Sequence, residues 1–285
     1  MISNCLCNKT VPYFCSYFNK MRKYSAILWL VILAACNGND DKKYIDVDAI
    51  PVKTPAIPYT IAAEYPHDTS AYTQGLEFHN GKLYEGTGDF KTSSLRITDY
   101  KTGKVERKHM MGTDSIFGEG ITIFKNKIYQ LTWESNIVYV YDVANIDKPI
   151  KTFNWPYEGW GITNNGTDLI ISDGTAKLFF VNPDDFRLKS TISVTENGSP
   201  VQYLNELEYV DGFVFANIYQ TDKIVKIDPA SGFVVGKIDF GNVLKNRFAI
   251  TNRTDYFNGI AYDSATKKFL ITGKRWPKMF ELKFN

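Results

Sequence analysis

Glu119 stands between Gly118 and Gly120, neighbours that give a carboxylate no side chain to pack against. A carboxylate held that way in a cleft is a candidate for proton transfer. It is one of five positions with a shared context: Gln74, Glu119, Trp160, Asn205 or Glu206, and Asn258 each lead into a β-run opening on Leu or Ile, four of them through a glycine. Successive members lie about 40 to 55 residues apart, the period of propeller blades. Aligning the second β-run of each unit puts Gly88, Trp133, Gly174, Tyr219 and Lys274 in a second register. Together the two sets hold a carboxylate, an ammonium, several amides and three large aromatics. That composition suits a small-molecule pocket with apolar walls and a few polar anchors, and does not suit a metal cage.

The elements that must carry these residues are strands. The β-runs are rich in Val, Ile, Tyr and Phe, and no helical period is sustained. Asn80-Gly81, Asn165-Gly166 and Asp211-Gly212 fall between first and second runs, where two-residue hairpins want residues that tolerate positive φ. Turns at Lys101-Thr102-Gly103, Pro183-Asp184-Asp185 and Pro229 to Gly232 lead into further strands, so each unit has three or four antiparallel strands. The last unit, Phe257 to Phe284, has room for about three. Tyr59 to Tyr65 is the isolated strand that can complete it and remove the open edge. The expectation is an all-β, five-bladed β-propeller over residues 57–285 whose N-terminal strand closes the last blade; a β-sandwich is the alternative. In a propeller the first strand of each blade lines the axial channel, so both registers converge at one mouth.

The chain has 285 residues, 44% of them hydrophobic, enough for a large core in one domain. Its formal charge of +2 is spread along the chain, which gives nucleic acid no electrostatic footprint. Met21-Arg22-Lys23-Tyr24 precedes the apolar run Ala26 to Ala35, too short to span a bilayer but suited to a signal peptide. Its end, Leu33-Ala34-Ala35-Cys36, resembles a bacterial lipobox and makes Cys36 the expected lipidation site. Residues 1–20 then read as an upstream extension, 21–36 as a lipoprotein signal peptide, and 37–56, polar and then proline-punctuated, as a tether. A protein held by lipid at the bacterial cell envelope, on its periplasmic face or outer surface, is expected. The four cysteines all fall at or before Cys36, which removes disulfides, thiolate zinc sites and cysteine nucleophiles from the domain. His67, His79 and His109 have no ligand spacing. Asp142, Asp173 and Asp228 lie in or after strands, where calcium ligation and turn duty are both open.

The motifs as a set resemble the β-propeller glutaminyl-peptide cyclotransferases of plants and bacteria. The resemblance covers residues 57 to 285 and rests on Tyr72-Thr73-Gln74-Gly75-Leu76-Glu77, Ser93 to Arg96, Phe117-Gly118-Glu119-Gly120-Ile121-Thr122, Leu131-Thr132-Trp133, Glu158-Gly159-Trp160-Gly161, Leu204 to Glu208 and Ile271-Thr272-Gly273-Lys274. It implies conversion of the N-terminal glutamine of peptides to pyroglutamate with release of ammonia. Glu119 becomes the proton-transferring group, and Gln74, Phe117, Trp133, Trp160, Asn205 and Lys274 surround the substrate. Tyr72 stands where Phe is common and Tyr219 where Trp is usual; both keep an aromatic wall. Asn258, from the first register, is expected beside them at the substrate. A substrate α-amine, with a pKa near 8, is partly neutral at working pH, so the demanding step is protonation of the leaving nitrogen. Lys274 or Asn205 is expected to stabilise the oxyanion. No cofactor is expected for catalysis, although a structural calcium ion in the channel remains open, and a monomer is expected. Two other functions stay open: a calcium-dependent propeller lactonase, identified by chelator sensitivity, and a non-catalytic binding propeller, identified by tolerance of Glu119→Gln.

Overall fold

The computed structural model describes residues 53–111 and 113–284. The upstream extension, the signal peptide with Cys36, and the tether as far as residue 52 lie outside the described residues. The first strand, β1 (Tyr59–Pro66), is followed by four complete four-stranded sheets. Blade 1 contains β2 (Thr73–His79), β3 (Lys82–Thr87), β4 (Ser94–Asp99) and β5 (Lys104–Met110). Blade 2 contains β6 (Gly118–Phe124), β7 (Lys127–Thr132), β8 (Ile137–Asp142) and β9 (Lys151–Asn154). Blade 3 contains β10 (Ile162–Asn164), β11 (Leu169–Ile171), β12 (Lys177–Val181) and β13 (Leu188–Ser193), and a small hairpin of β14 (Thr195–Glu196) and β15 (Ser199–Pro200) follows it. Blade 4 contains β16 (Leu204–Val210), β17 (Phe213–Ile218), β18 (Lys223–Ile227) and β19 (Val234–Asp239). Blade 5 contains β20 (Phe257–Asp263), β21 (Lys268–Gly273) and β22 (Lys278–Phe284), and β1 pairs antiparallel with β22 as its outer strand. The five-bladed, N-terminally closed expectation holds.

Local chemistry explains the hairpins. Asn80-Gly81 and Asp211-Gly212 have positive φ at both residues, as type I′ turns require. Lys125-Asn126, unremarked in the sequence, forms a third turn of this kind. Asn165 instead accepts from the backbone N–H groups of Thr167 and Asp168 through its side chain.

Packing lies between blades. Five buried apolar clusters fill the seams, such as Leu76, Leu83, Ala261, Leu270 and Met279 between blades 1 and 5. Inner strands approach so closely that a Cβ on Gly161 would lie 2.1 Å from the Asn205 carbonyl oxygen, which accounts for the glycine there. At the axis, carboxylates satisfy the inward N–H groups of other blades. Glu206 of blade 4 accepts from Leu76 N and Ile260 N, Glu208 from Tyr262 N, and Glu77 of blade 1 from Ile123 N. Burial raises all three carboxyls above the ordinary range, Glu77 to about 8, so protonation is favoured within the ring.

The seam where β1 leads into blade 1 is latched by His67. Its Nε2 lies 3.0 Å from Glu85 and its Nδ1 lies 2.7 Å from the Trp276 carbonyl. Burial opposes charge on the ring, but the Glu85 carboxylate outweighs it and raises the imidazole pKa. Just before β1, Pro55 to Ile57 runs along β19, exchanging two backbone hydrogen bonds with Lys237. The last residues read as tether therefore lie on blade 4.

Candidate active site

The mouth residues owe their aim to a repeated irregularity. Between the first and second strands of blades 1, 2, 4 and 5 the register slips at Gln74, at Glu119-Gly120, at Asn205-Glu206 and at Asn258-Gly259. A bulge leaves one residue outside the ladder and re-aims its side chain. Gln74, Glu119 and Asn205 turn in this way into a cavity of about 260 Å³, and Trp160, just ahead of β10, joins them. Trp133, Tyr219 and Lys274 complete the wall from the second register, with Tyr72 and Phe117 beside them. Gly88 and Gly174 of that register leave space: a Cβ there would strike the ring of Phe117 or of Trp160.

Asn258 does not line the cavity. It is wholly buried behind Gln74, donating from Nδ2 to the Thr73 carbonyl at 3.1 Å and to Gln74 Oε1 at 3.3 Å. The bulge in blade 5 turns it toward its neighbour instead of the opening.

The polar centre is a chain of three side chains. Lys274 Nζ donates to Gln74 Oε1 at 2.5 Å, and Gln74 Nε2 donates to Glu119 Oε1 at 3.0 Å. The amide thus stands between ammonium and carboxyl, and the two form no ion pair. Burial pushes the Glu119 carboxyl well above its ordinary range, Lys274 opposing and Glu158 reinforcing. Burial also draws the Lys274 ammonium down to about 8, against the pull of Glu119 and Asp255. Lys274 is further held over the faces of Tyr72 and Tyr219, at 4.6 and 5.4 Å from their centroids. Asn205 Oδ1 is buried in the wall without a partner, an acceptor awaiting a donor. The walls interlock edge to face, Phe117 with Tyr72 and Trp133, and Trp160 with Tyr219.

A cavity of this size, with apolar faces, a carboxyl held well above its ordinary range and an ammonium lowered to about 8, suits a small polar group. The sequence profile described as "Glutamine cyclotransferase" matches residues 28–284. The chain belongs to the glutamine cyclotransferase family, and it is an enzyme of that family. A glutaminyl-peptide cyclotransferase of Arabidopsis thaliana is 38% identical over 226 residues, which is 78% of this chain and 70% of that protein. The crystal structure of Myxococcus xanthus glutaminyl cyclase superposes with a TM-score of 0.75 at 34% identity, covering 81% of this chain and 98% of that one.

Two residues of this cyclotransferase lay outside both registers. Glu158 binds the indole N–H groups of Trp133 and Trp160. Asp255, whose N–H donates to the Lys274 carbonyl at 3.1 Å, adds to burial in raising the Tyr72 phenol. The second could have been sought in the long connection before β20; the first stands two residues ahead of Trp160, as Tyr72 does ahead of Gln74 and Phe117 ahead of Glu119. Asp142, Asp173 and Asp228 each accept from backbone N–H groups two residues on, which is turn duty. Among the described residues no group of three or more His, Cys, Asp or Glu is arranged to hold a metal ion.

Proposed function

We propose that this enzyme converts the N-terminal glutamine of peptides and proteins to pyroglutamate, releasing ammonia, with Glu119 relaying the proton. The observation that carries the reading is the buried, proton-holding Glu119 carboxyl separated from Lys274 by the Gln74 amide. The neutral α-amine attacks the side-chain amide carbon, forming the ring C–N bond. Glu119 gives its proton to the amide nitrogen and takes one from the attacking amine, acting as acid and then base. The C–N bond to the former side-chain nitrogen breaks, ammonia leaves, and Glu119 ends as it began. Lys274 is suited to the oxyanion because an ammonium keeps N–H groups beyond the one given to Gln74. The unpartnered Asn205 Oδ1 is suited to accept from the α-amine. The aromatic faces hold the side chain in its cyclising rotamer, the chief requirement when nucleophile and carbonyl share one molecule.

No cofactor enters this reading. The channel carboxyls Glu77, Glu206 and Glu208 are accounted for as acceptors of backbone N–H groups, and no calcium ion is invoked among them. A Gln-initiated peptide should lose one ammonia by mass as ammonia appears in solution, and Glu119→Gln should lower turnover about a hundredfold or more. Absence of ammonia from a folded wild-type enzyme would overturn the reading. We further propose a monomer, and attachment at the bacterial envelope through lipidated Cys36, the latter on the support of the lipobox-like Leu33 to Cys36. Labelling by a tagged fatty acid that survives Cys36→Ser refutes it.

A further inference from the structure

Glu158 does not line the cavity, yet one of its oxygens governs two of the walls. Oε2 accepts from Trp133 Nε1 at 2.8 Å and from Trp160 Nε1 at 2.9 Å. The two rings come from different blades, Trp133 from the end of β7 and Trp160 from the approach to β10. Among the described residues Glu158 is the polar partner of both indoles. Its own backbone is fixed: its carbonyl accepts from Trp155 Nε1 at 3.2 Å, and the next amide, Gly159 N, donates to the Trp133 carbonyl at 3.2 Å. A Cβ on Gly159 would lie 2.8 Å from Leu131 Cβ and the Thr132 carbonyl, so this stretch of linker packs closely on β7 and only glycine fits there.

We infer that Glu158 is the positioning residue that sets the Trp133 and Trp160 rings at the angle that grips the substrate's glutamine side chain. Edge-to-face packing confines each indole, and a directed N–H selects the tilt its plane takes. Directing both N–H groups to one oxygen fixes both planes. This is stronger than a neutral pair because the acceptor is a carboxylate, although its exposure weakens it. The same negative charge acts on Glu119 across the cavity, alongside Lys274 from blade 5 and the phenols of Tyr72 and Tyr219. The inference rests on the proposed glutamine-cyclising reading of the pocket.

The test compares Glu158→Ala, which removes the acceptor, with Glu158→Gln, which keeps an oxygen for the indoles and removes the charge. With a Gln-initiated peptide, Glu158→Ala should raise KM about tenfold, the equivalent of one charge-assisted hydrogen bond, while kcat falls less. Its tryptophan anisotropy should drop with the unfolding midpoint unchanged. Glu158→Gln should restore KM to within about threefold of wild type, while its kcat profile moves toward lower pH because Glu119 loses a neighbouring negative charge. If Glu158→Ala does not fold, Glu158→Asp, a methylene short of both rings, carries the same KM and anisotropy expectation. Wild-type KM and anisotropy in the folded variant overturn the assignment while leaving the pocket's reaction standing. A wild-type enzyme that releases no ammonia overturns the reaction, and the assignment with it.

Discussion

Gln74 keeps Lys274 and Glu119 apart, and removing its amide tests whether that separation sustains the reaction. In Gln74→Met the chain fills similar space but can neither accept from Nζ nor donate to Oε1. The ammonium and the carboxyl, two hydrogen bonds apart through the amide, then come into contact. At an effective dielectric of about 20, opposite charges at ~3 Å attract by about 5.5 kcal/mol and at ~6 Å by about 2.8 kcal/mol. The gain of about 3 kcal/mol corresponds to about two pH units. The Glu119 carboxyl is drawn back toward its ordinary range, and Lys274, lowered to about 8 by burial, keeps its proton to higher pH. At neutral pH the proton-bearing fraction of Glu119, and turnover with it, should fall, by up to about a hundredfold, the ceiling set by two units. The assay is ammonia release from a saturating Gln-initiated peptide, expressed as the mutant-to-wild-type ratio of kcat so that substrate ionisation cancels. The ratio should recover on acidification as Glu119 regains its proton. A ratio that is low but constant from pH 5 to 9 would refute the reasoning and leave Gln74 as a substrate contact only.

Lys274→Met should remove the ammonium from the oxyanion and lower kcat about a hundredfold or more without changing the circular dichroism spectrum, and an unchanged kcat would move the role elsewhere. Glu77→Gln should flatten the pH dependence of stability. The folded pKa of Glu77 is raised to about 8 from 4.5, so its contribution is complete below about 4.5 and is lost as pH rises through about 8. The wild type should therefore lose about 1.4 kcal/mol more per pH unit across that window than the variant, and equal slopes in urea unfolding would count against it. Gly161→Ala sets a methyl 2.1 Å from a backbone oxygen and should destabilise by about 1 to 3 kcal/mol while disturbing Trp160 and Asn205; an unshifted urea midpoint would contradict the packing.

Much of the fold was written in one repeated phrase, because strand, hairpin and period each leave a local signature. The missing fourth strand of the last blade pointed to Tyr59 to Tyr65 by simple arithmetic of strand lengths. The site was less legible. Phasing found Gln74, Glu119, Trp160 and Asn205 without revealing why they point inward, because a bulge is a mismatch between two strands and neither strand shows it alone. The same limit misjudged Asn258, whose equivalent bulge serves Gln74. Glu158 escaped although it shares the offset of Tyr72 and Phe117, because its value lies in the meeting of two indole nitrogens from different blades. The resemblance supplied Tyr72 and Phe117, which stand two residues ahead of the first register, as Glu158 does before Trp160.

The closure of blade 5 by β1 also has a mechanical side. Force applied through the N-terminal chain enters at Pro55 to Ile57, on two backbone bonds to Lys237, and next at the ladder to β22, whose rungs can open in succession. The load thus meets outer strands, while the cavity hangs on inner ones. At the far end of β1, His67 grips Glu85 of blade 1 and two carbonyls of the turn before β22, at Trp276 and Pro277, and so acts as a stop ahead of Tyr72. Tension on the first described residues can thus be taken up at the rim while the geometry around Glu119 stays at rest.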